Sequence, residues 1–572
     1  MNRKRASNVP LPRRRRLRAT PIVAALGVLA GAGAAQAVTF ETDTPDLKVQ
    51  WDNTIKYSAA ARLRSQDAAL LTNPNAEDGN RNFDKGLISS RLDLFSELDV
   101  KHRNVGMRLS AAAWYDAVYN RGNDNPGFAG GAFPNQASVA ANEFTRRTRD
   151  LHGRKAEMLD AFAFGRFDLG ESRALVRAGQ HALVWGESLF LGANAIAGGM
   201  APVDITKLVS VPGTQFKEAI RPVPQISGQV QLTPSVTLGA YYQFGYRPNR
   251  LPAVGSYFSQ IDTNVDGAEQ ILLGPAGVAP REGDLLPKDS GQGGLQLRVR
   301  YAETDFGLYA IRFHSKSPQV VSKLINLTPM APPTLLPGSY FITYHQGITA
   351  LGASASRSFG NANVAIEAST RRNQDLASAG HAVDLSQAFG LPPTDNTGNP
   401  GYAVGRTAHV NLSALWSLDP TPLFREANVA AEVAWNRVLS CTRNCAVHDP
   451  VTRQGTIDNN ATRDAVSLRV QFEPSYRQAL PGVDLSVPIG LGFTPKGSRS
   501  MALGSGSFPG NGSGDLTIGV NGSYLDAWRF SLAVTHYFGT ARPFLDLATN
   551  SFTYGQSLKD RDFVAFSLRR SF

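Results

Sequence analysis

Long apolar runs are missing from this sequence. After residue 37 no stretch of 18 apolar residues occurs, which excludes a bundle of membrane-spanning helices. Charge is also sparse: Asp, Glu, Lys and Arg make up 18% of the 572 residues, against roughly 25% in ordinary soluble domains. Cysteine is nearly absent, with Cys441 and Cys445 alone, so a disulfide-dense scaffold is ruled out. Catalytic signatures are lacking too. His102, His152, His181, His314, His345, His409 and His536 are scattered, and neither G-x-S-x-G nor H-E-x-x-H is present. The chain is therefore expected to be no enzyme, and to carry no cofactor and no metal.

The net charge of +11 would suggest a nucleic-acid partner if it were spread over the chain. It is not. Arg3, Lys4, Arg5, Arg13 to Arg16 and Arg18 account for eight positive charges before residue 38, with no acidic residue among them, which leaves about +3 for the remainder. No nucleic-acid partner is expected. The same basic segment precedes the apolar stretch 22–34 and the tripeptide Ala35-Gln36-Ala37, the order of a secretory signal peptide. Residues 1–37 are expected to be removed on export, and 38–572 to form one domain. In an oxidising compartment Cys441 and Cys445 can close a small loop disulfide; a metal site with His448 as a third ligand is the alternative.

What the sequence does contain is alternation. Leu92, Leu94, Leu98 and Val100 interleave with Arg91, Asp93, Glu97 and Asp99. Leu295, Leu297, Val299 and Tyr301 do the same with Gln296, Arg298 and Arg300, and Val466, Leu468, Val470 and Phe472 with Ser467, Arg469, Gln471 and Glu473. Segments of about ten such residues suit tilted strands with one face in lipid and the other in water. A soluble sandwich would alternate as well, but its connections have no reason to alternate in length. Here short connections fall at 102–104, 170–173, 233–235, 303–305, 360–362 and 525–527, with longer ones near 419–427 and 474–482. Long ones fall near 65–87, 120–155, 186–222, 247–291, 315–345, 373–404, 440–463, 492–513 and 539–561. The expected fold is all-β: a transmembrane antiparallel up-and-down barrel of about 18 strands, 16 being the alternative count, with long loops outside and short turns in the periplasm.

The final segment places Val564, Phe566, Leu568 and Phe572 on one face, interrupted by Arg570. A strand ending in an aromatic residue resembles the signal read by the barrel assembly machinery, and outer-membrane lipids would surround the barrel. Alternation assigns Arg108, Arg298, Arg300, Arg312 and Arg469 to the lumen together with Asp93, Glu97, Asp99, Glu367, Glu432 and Glu473. Such mixed charges either pair across strands or line a path for an anionic or amphiphilic solute. Trp185-Gly-Glu-Ser188 leaves a strand and enters a long loop through Asp204. Two readings stand: an aromatic girdle followed by a folded loop, or an inward constriction in which Trp185, Glu187 and Asp204 meet a passing solute.

The stretches Asp78 to Gly86, Ser89 to Leu94 and Ala113-Trp-Tyr-Asp116 resemble the N-terminal part of domain-of-unknown-function family 1302. So do Asp160-Ala-Phe162, Trp185 to Ser188, Pro202 to Lys207, Phe216 to Ala219, Pro222-Val-Pro224 and Tyr241 to Phe244. Ala193 to Ala201 stands where that family carries a Gly-rich, Asn-Pro-containing stretch. The resemblance implies an outer-membrane barrel associated with a periplasmic lipoprotein and an inner-membrane transporter of the resistance-nodulation-division (RND) type. It also implies a setting of lipid, steroid or other hydrophobic-compound metabolism. It carries over no catalytic or binding residue. The expected function is a channel or transport component for a hydrophobic or amphiphilic solute, the alternative being a non-transporting structural or surface-interaction barrel.

Overall fold

The computed structural model describes residues 38–40, 44, 46–130, 134–211, 216–327, 334–378, 382–450, 454–498 and 508–572. The expected signal peptide lies outside them. Eighteen antiparallel strands close into a ring, each joined to its sequence neighbour: β1 Leu47–Arg62, β2 Gly86–His102, β3 Val105–Asp116, β4 Arg154–Leu169, β5 Ser172–His181, β6 Val223–Thr233, β7 Val236–Gln243, β8 Gln292–Tyr301 and β9 Thr304–Phe313. The ring continues through β10 Ile348–Phe359, β11 Ala362–Asp375, β12 Val404–Leu418, β13 Glu426–Arg443, β14 Asp464–Leu480, β15 Val483–Ser486 with Ile489–Lys496, β16 Gly514–Tyr524, β17 Trp528–Phe538 and β18 Phe563–Ser571. β18 closes it by pairing with β1, from Arg62 opposite Phe563 to Thr54 opposite Ser571. Beyond that pairing, Asn53 and Phe572 exchange two backbone hydrogen bonds of 2.8 Å.

Closure pairs every strand with a neighbour on each side over most of its length and so satisfies backbone groups that a bilayer cannot. The alternating residues then sort by face. Leu94 (45% exposed), Leu295 (65%) and Leu308 (55%) stand on the outer surface, while their neighbours along each strand point inward. The two ends of the barrel differ. At one, hairpins turn in two or three residues, except for 419–425; Ala302 and Glu303 both take positive φ (45° and 65°), the twist that a tight hairpin requires. At the other, nine connections of 17 to 48 residues rise from the strands.

One expected connection moves. Residues 474–480 belong to β14, and the turn is Pro481-Gly482. Pro474 sits in the strand as an acceptor, taking the Val487 N–H at 3.0 Å, whereas Pro488, which has no N–H to donate, splits β15. Prolines that usually mark turns here mark an irregular ladder.

The nine long connections are not solvated fringe. Phe83, Tyr119, Phe144, Tyr257 and Leu558, from four of them, pack with Ile88, Tyr537 and Phe563 at the strand ends. Phe83 meets Tyr119 and Tyr257 edge-on, with ring centroids 5.8 and 5.5 Å apart. Two buried arginines are matched within this cap: Arg561 donates to the carbonyls of Tyr257 and Ser259, and Arg62 pairs with Asp560 at 3.0 Å. Cys441 and Cys445, at the loop end of β13, are joined in a disulfide.

Candidate functional site: the lumen

One connection, 182–222, turns into the barrel after β5. The luminal face it meets is cut back to small residues such as Ala350 and Gly352, leaving room for Ile196. Two wall carboxylates hold it. Glu367 accepts from the backbone N–H groups of Glu187 (2.8 Å) and Ile196 (2.6 Å). Glu432 accepts from those of Leu189 (3.1 Å), Phe190 (2.6 Å) and Leu191 (2.8 Å), and from the Ser188 hydroxyl (2.7 Å). Between them Arg371 donates to the carbonyls of Ala193, Asn194 and Ala195. Gly186 is required at the entry: its φ is +101°, and a Cβ there would strike the Glu367 carboxylate. Ile196 and Met200 complete the seal against Tyr241, Tyr309, Ile311 and Phe313.

This arrangement defines the places of the expected site residues. Trp185 is an anchor, edge-on to Tyr241 at 5.0 Å and stacked toward Tyr309 at 6.4 Å. Glu187 bends inward, where the Arg298 guanidinium attracts its carboxylate. Asp204 caps the short helix Ile205–Ser210 by accepting from the Lys207 N–H, and its other oxygen pairs with Arg250 at 2.8 Å. Arg250 also holds Glu157, so the Asp204 charge is already neutralised within the protein.

The luminal charges divide. Arg108 binds Asp99 through two hydrogen bonds (2.8 and 2.7 Å) and lies 3.5 Å from Glu97. Arg300 pairs with Asp305 at 2.9 Å and Arg469 with Asp515 at 3.1 Å. Asp93 takes Arg91 at 2.6 Å and Lys56 at 3.8 Å, and Glu473 accepts from the Ser486 hydroxyl. Arg312 is a correction. It shares the strand parity of Phe306 and Leu308, whose side chains are exposed on the outer surface, so it faces outward at the loop end of β9 rather than into the lumen. A charge at the outer rim can reach the interface, which is why the parity survives there.

Opposite the inward loop the lumen is empty. A cavity of about 1410 Å³ is bounded by β1–β4, β14–β18, residues 204–211 and residues 218–222. It runs from Arg477 and Asp484, beside the short turns, to Tyr119, Tyr257 and Phe258 beneath the cap. Its lining mixes Phe95, Trp114 and Ile220 with charges. Two of those charges were missed from the sequence. Arg529 of β17 stands directly opposite Arg569 of β18, which stands opposite Lys56 of β1. Like charges in register repel, and no ion pair or hydrogen bond engages either arginine among the described residues; Glu218 acts on Arg569 at longer range. Alternation alone could have found this row, because Arg569 lies on the inner face of the last strand.

Fold and lumen together define a closed β-barrel whose interior is divided by a loop into a filled half and a cavity half. The chain belongs to the family described as a protein of unknown function (DUF1302), whose model matches residues 18–572. No curated protein matches it. Similar solved structures include OccAB4 of Acinetobacter baumannii, with TM-score 0.40, 9% identity, and coverage of 92% of this chain and 97% of that one. The BenF-like porin of Pseudomonas fluorescens Pf-5 gives 0.38, 10%, 92% and 98%. OmpF of Salmonella typhi in complex with daunomycin gives 0.35, 8%, 94% and 100%.

Proposed function

We propose that this protein is an outer-membrane conduit for amphiphilic solutes that carry an anionic head. The observation that carries this reading is the row Lys56, Arg569 and Arg529 on the cavity wall, where the two arginines face each other with no ion pair among the described residues, beside apolar surface at Phe95, Trp114 and Ile220. A carboxylate or phosphate on the row relieves their repulsion, and an apolar body fits the rest of the cavity. In this reading the short turns face the periplasm, residues 1–37 direct export, and the chain is no enzyme. The cavity's short-turn end then faces the periplasmic lipoprotein and RND-type transporter that the family resemblance implies.

The test is binding of dodecanoate to the purified barrel. A charge-assisted hydrogen bond contributes about 1.5–3 kcal/mol, so Arg529→Gln and Arg569→Gln are each expected to weaken binding about tenfold or more. Equal affinity in wild type and the double variant overturns the reading. One observation favours a non-transporting barrel instead: the aromatic cap over the long-loop mouth. A wild-type barrel that binds no amphiphile would decide for that alternative.

A further inference from the structure

We infer that the barrel wall carries a side port beside the β4 edge, beyond the end of β5, through which the apolar part of an anionic single-chain amphiphile passes between the bilayer and the cavity. The inference rests on the conduit reading above and concerns the route. A solute in the cavity meets Tyr119, Tyr257 and Phe258 of the cap at its loop end, so an outward path has to leave through the wall.

The wall is incomplete at one place. β5 pairs with β4 only as far as Gln180 opposite Ala161, and it ends at His181 opposite Val223 of β6, where the chain departs into the lumen. Residues 154–160 of β4 therefore run past the end of their neighbour, an unmatched edge of roughly 20 Å at about 3.3 Å per residue. Side chains fill the notch where a strand would stand. Gln180 Nε2 donates to the carbonyls of Met158 (3.1 Å) and Leu159. Arg247 donates to Gln180 Oε1 (2.8 Å) and to the Pro222 carbonyl (3.1 Å). Arg250 joins Glu157 of the β4 edge to Asp204 of the inward loop. Side-chain bridges can part without unpairing a ladder, which a completed strand cannot do.

The two sides of this wall correspond. On the outer surface an apolar groove of about 320 Å³ is formed by Leu94, Ser96, Ala111 to Ala113 and residues 156–158. Leu94, Ala112, Glu157 and Met158 also line the cavity, so one layer of sheet, β2 to β4, separates groove from cavity, and the groove ends at the β4 edge beside the notch. Inside, strand register connects the notch to the cations. Lys155 lies opposite Trp114, Trp114 opposite Asp93, Asp93 opposite Lys56, Lys56 opposite Arg569, and Arg569 opposite Arg529. At about 4.8 Å per strand, Arg569 lies roughly 19 Å from the notch edge, a reach that an extended acyl chain spans with its head on the arginines. An anionic head and a single apolar chain match both ends of this stripe.

The test uses the full-length barrel in phosphatidylcholine vesicles, with dansyl-labelled undecanoate supplied in the bilayer and capture followed by dansyl fluorescence. Ala156→Trp and Ala113→Trp, a directly opposed pair on the outer surface, fill the groove and are expected to slow capture at least tenfold. Dodecanoate affinity should not change in either. Gln180→Ala removes a bridge across the notch and is expected to speed capture. Heat-modifiable migration confirms assembly of each variant. Wild-type capture rates in all three, with affinity still dependent on Arg529 and Arg569, overturn the port alone. Absence of any binding to wild type overturns the conduit reading and the port together.

Discussion

Replacing Glu432 with Ala should free the inward loop while leaving the barrel closed. The carboxylate accepts three consecutive N–H groups and one hydroxyl from residues 188–191, and also the Asn411 amide at 2.6 Å. Removing it leaves those donors facing an apolar methyl. Charge-assisted bonds contribute about 1.5–3 kcal/mol each, but neighbours in one network do not add. The cost of removing one partner from a buried charged group, about 3–5 kcal/mol, is the better guide. At about 1.4 kcal/mol per decade, local opening should rise roughly a hundred- to several-thousand-fold. Hydrogen exchange at residues 189–191 measures this directly, and residue 196, held by Glu367, serves as the internal reference. Glu432→Gln, which keeps one acceptor oxygen but turns an amide donor toward N–H groups, should lie between Ala and wild type. Unchanged protection at 189–191 in Glu432→Ala, with heat-modifiable migration retained, would refute the claim that this carboxylate fastens the loop.

Three further outcomes follow from other parts of the molecule. In the cap, burial pushes the Glu77 carboxyl up to about 8 and that of Asp262 up to about 6, the latter despite two N–H donors from Glu77 and Asp78. A raised carboxyl favours the fold while protonated, so its contribution is complete below about pH 4 and is lost as pH rises through 6 and then 8. Proteolysis of loops 63–85 and 244–291 should accelerate from pH 5 to pH 8.5, and equal rates would contradict it. The disulfide spans four positions, and closing so small a loop is worth about 2 kcal/mol in the chain-entropy model; Cys441→Ser with Cys445→Ser should therefore lower urea resistance modestly and leave assembly intact. Deleting Phe572 removes the exchange with Asn53 at the closing seam and should reduce the amount of assembled barrel without reducing export, as measured by heat-modifiable migration in membrane fractions.

The barrel was legible because its two signals are local. Period-2 alternation marks each strand, and the rhythm of short and long connections orders them. Where those signals failed, the cause was also local. Pro474 made the expected connection begin too early, because proline punctuates turns more often than ladders. Arg312 keeps strand parity and faces outward, because cost depends on depth, and depth is invisible in a list of alternating residues. The loop anchors were half legible: Glu367 and Glu432 were placed on the luminal face, but the N–H groups they hold lie 171 to 243 positions away. The notch at the end of β5 left less trace, because a short strand reads like any other until its neighbour is seen to continue.

Charge in the lumen illustrates why counting residues by face misjudges the field. The inner wall carries acids and bases in comparable number, which suggests a neutral interior. The acids, however, are engaged: Glu367 and Glu432 by loop N–H groups, Glu157 and Asp204 by Arg250, Asp99 by Arg108, Asp93 by Arg91 and Lys56. Arg569 and Arg529 face the cavity with no such partner among the described residues. Because interactions strengthen where water is excluded, the inward loop shapes the lumen twice, by filling one half and by occupying the carboxylates that would otherwise balance the other. Glu432→Ala and Glu432→Gln each remove this carboxylate while loosening the loop it holds, so the two effects of the loop separate only when exchange at 189–191 and dodecanoate affinity are measured on the same variant. If the loop acts on the cavity through charge, affinity changes with the variant that releases it; if it acts only as filler, exchange changes and affinity at Arg529 and Arg569 does not.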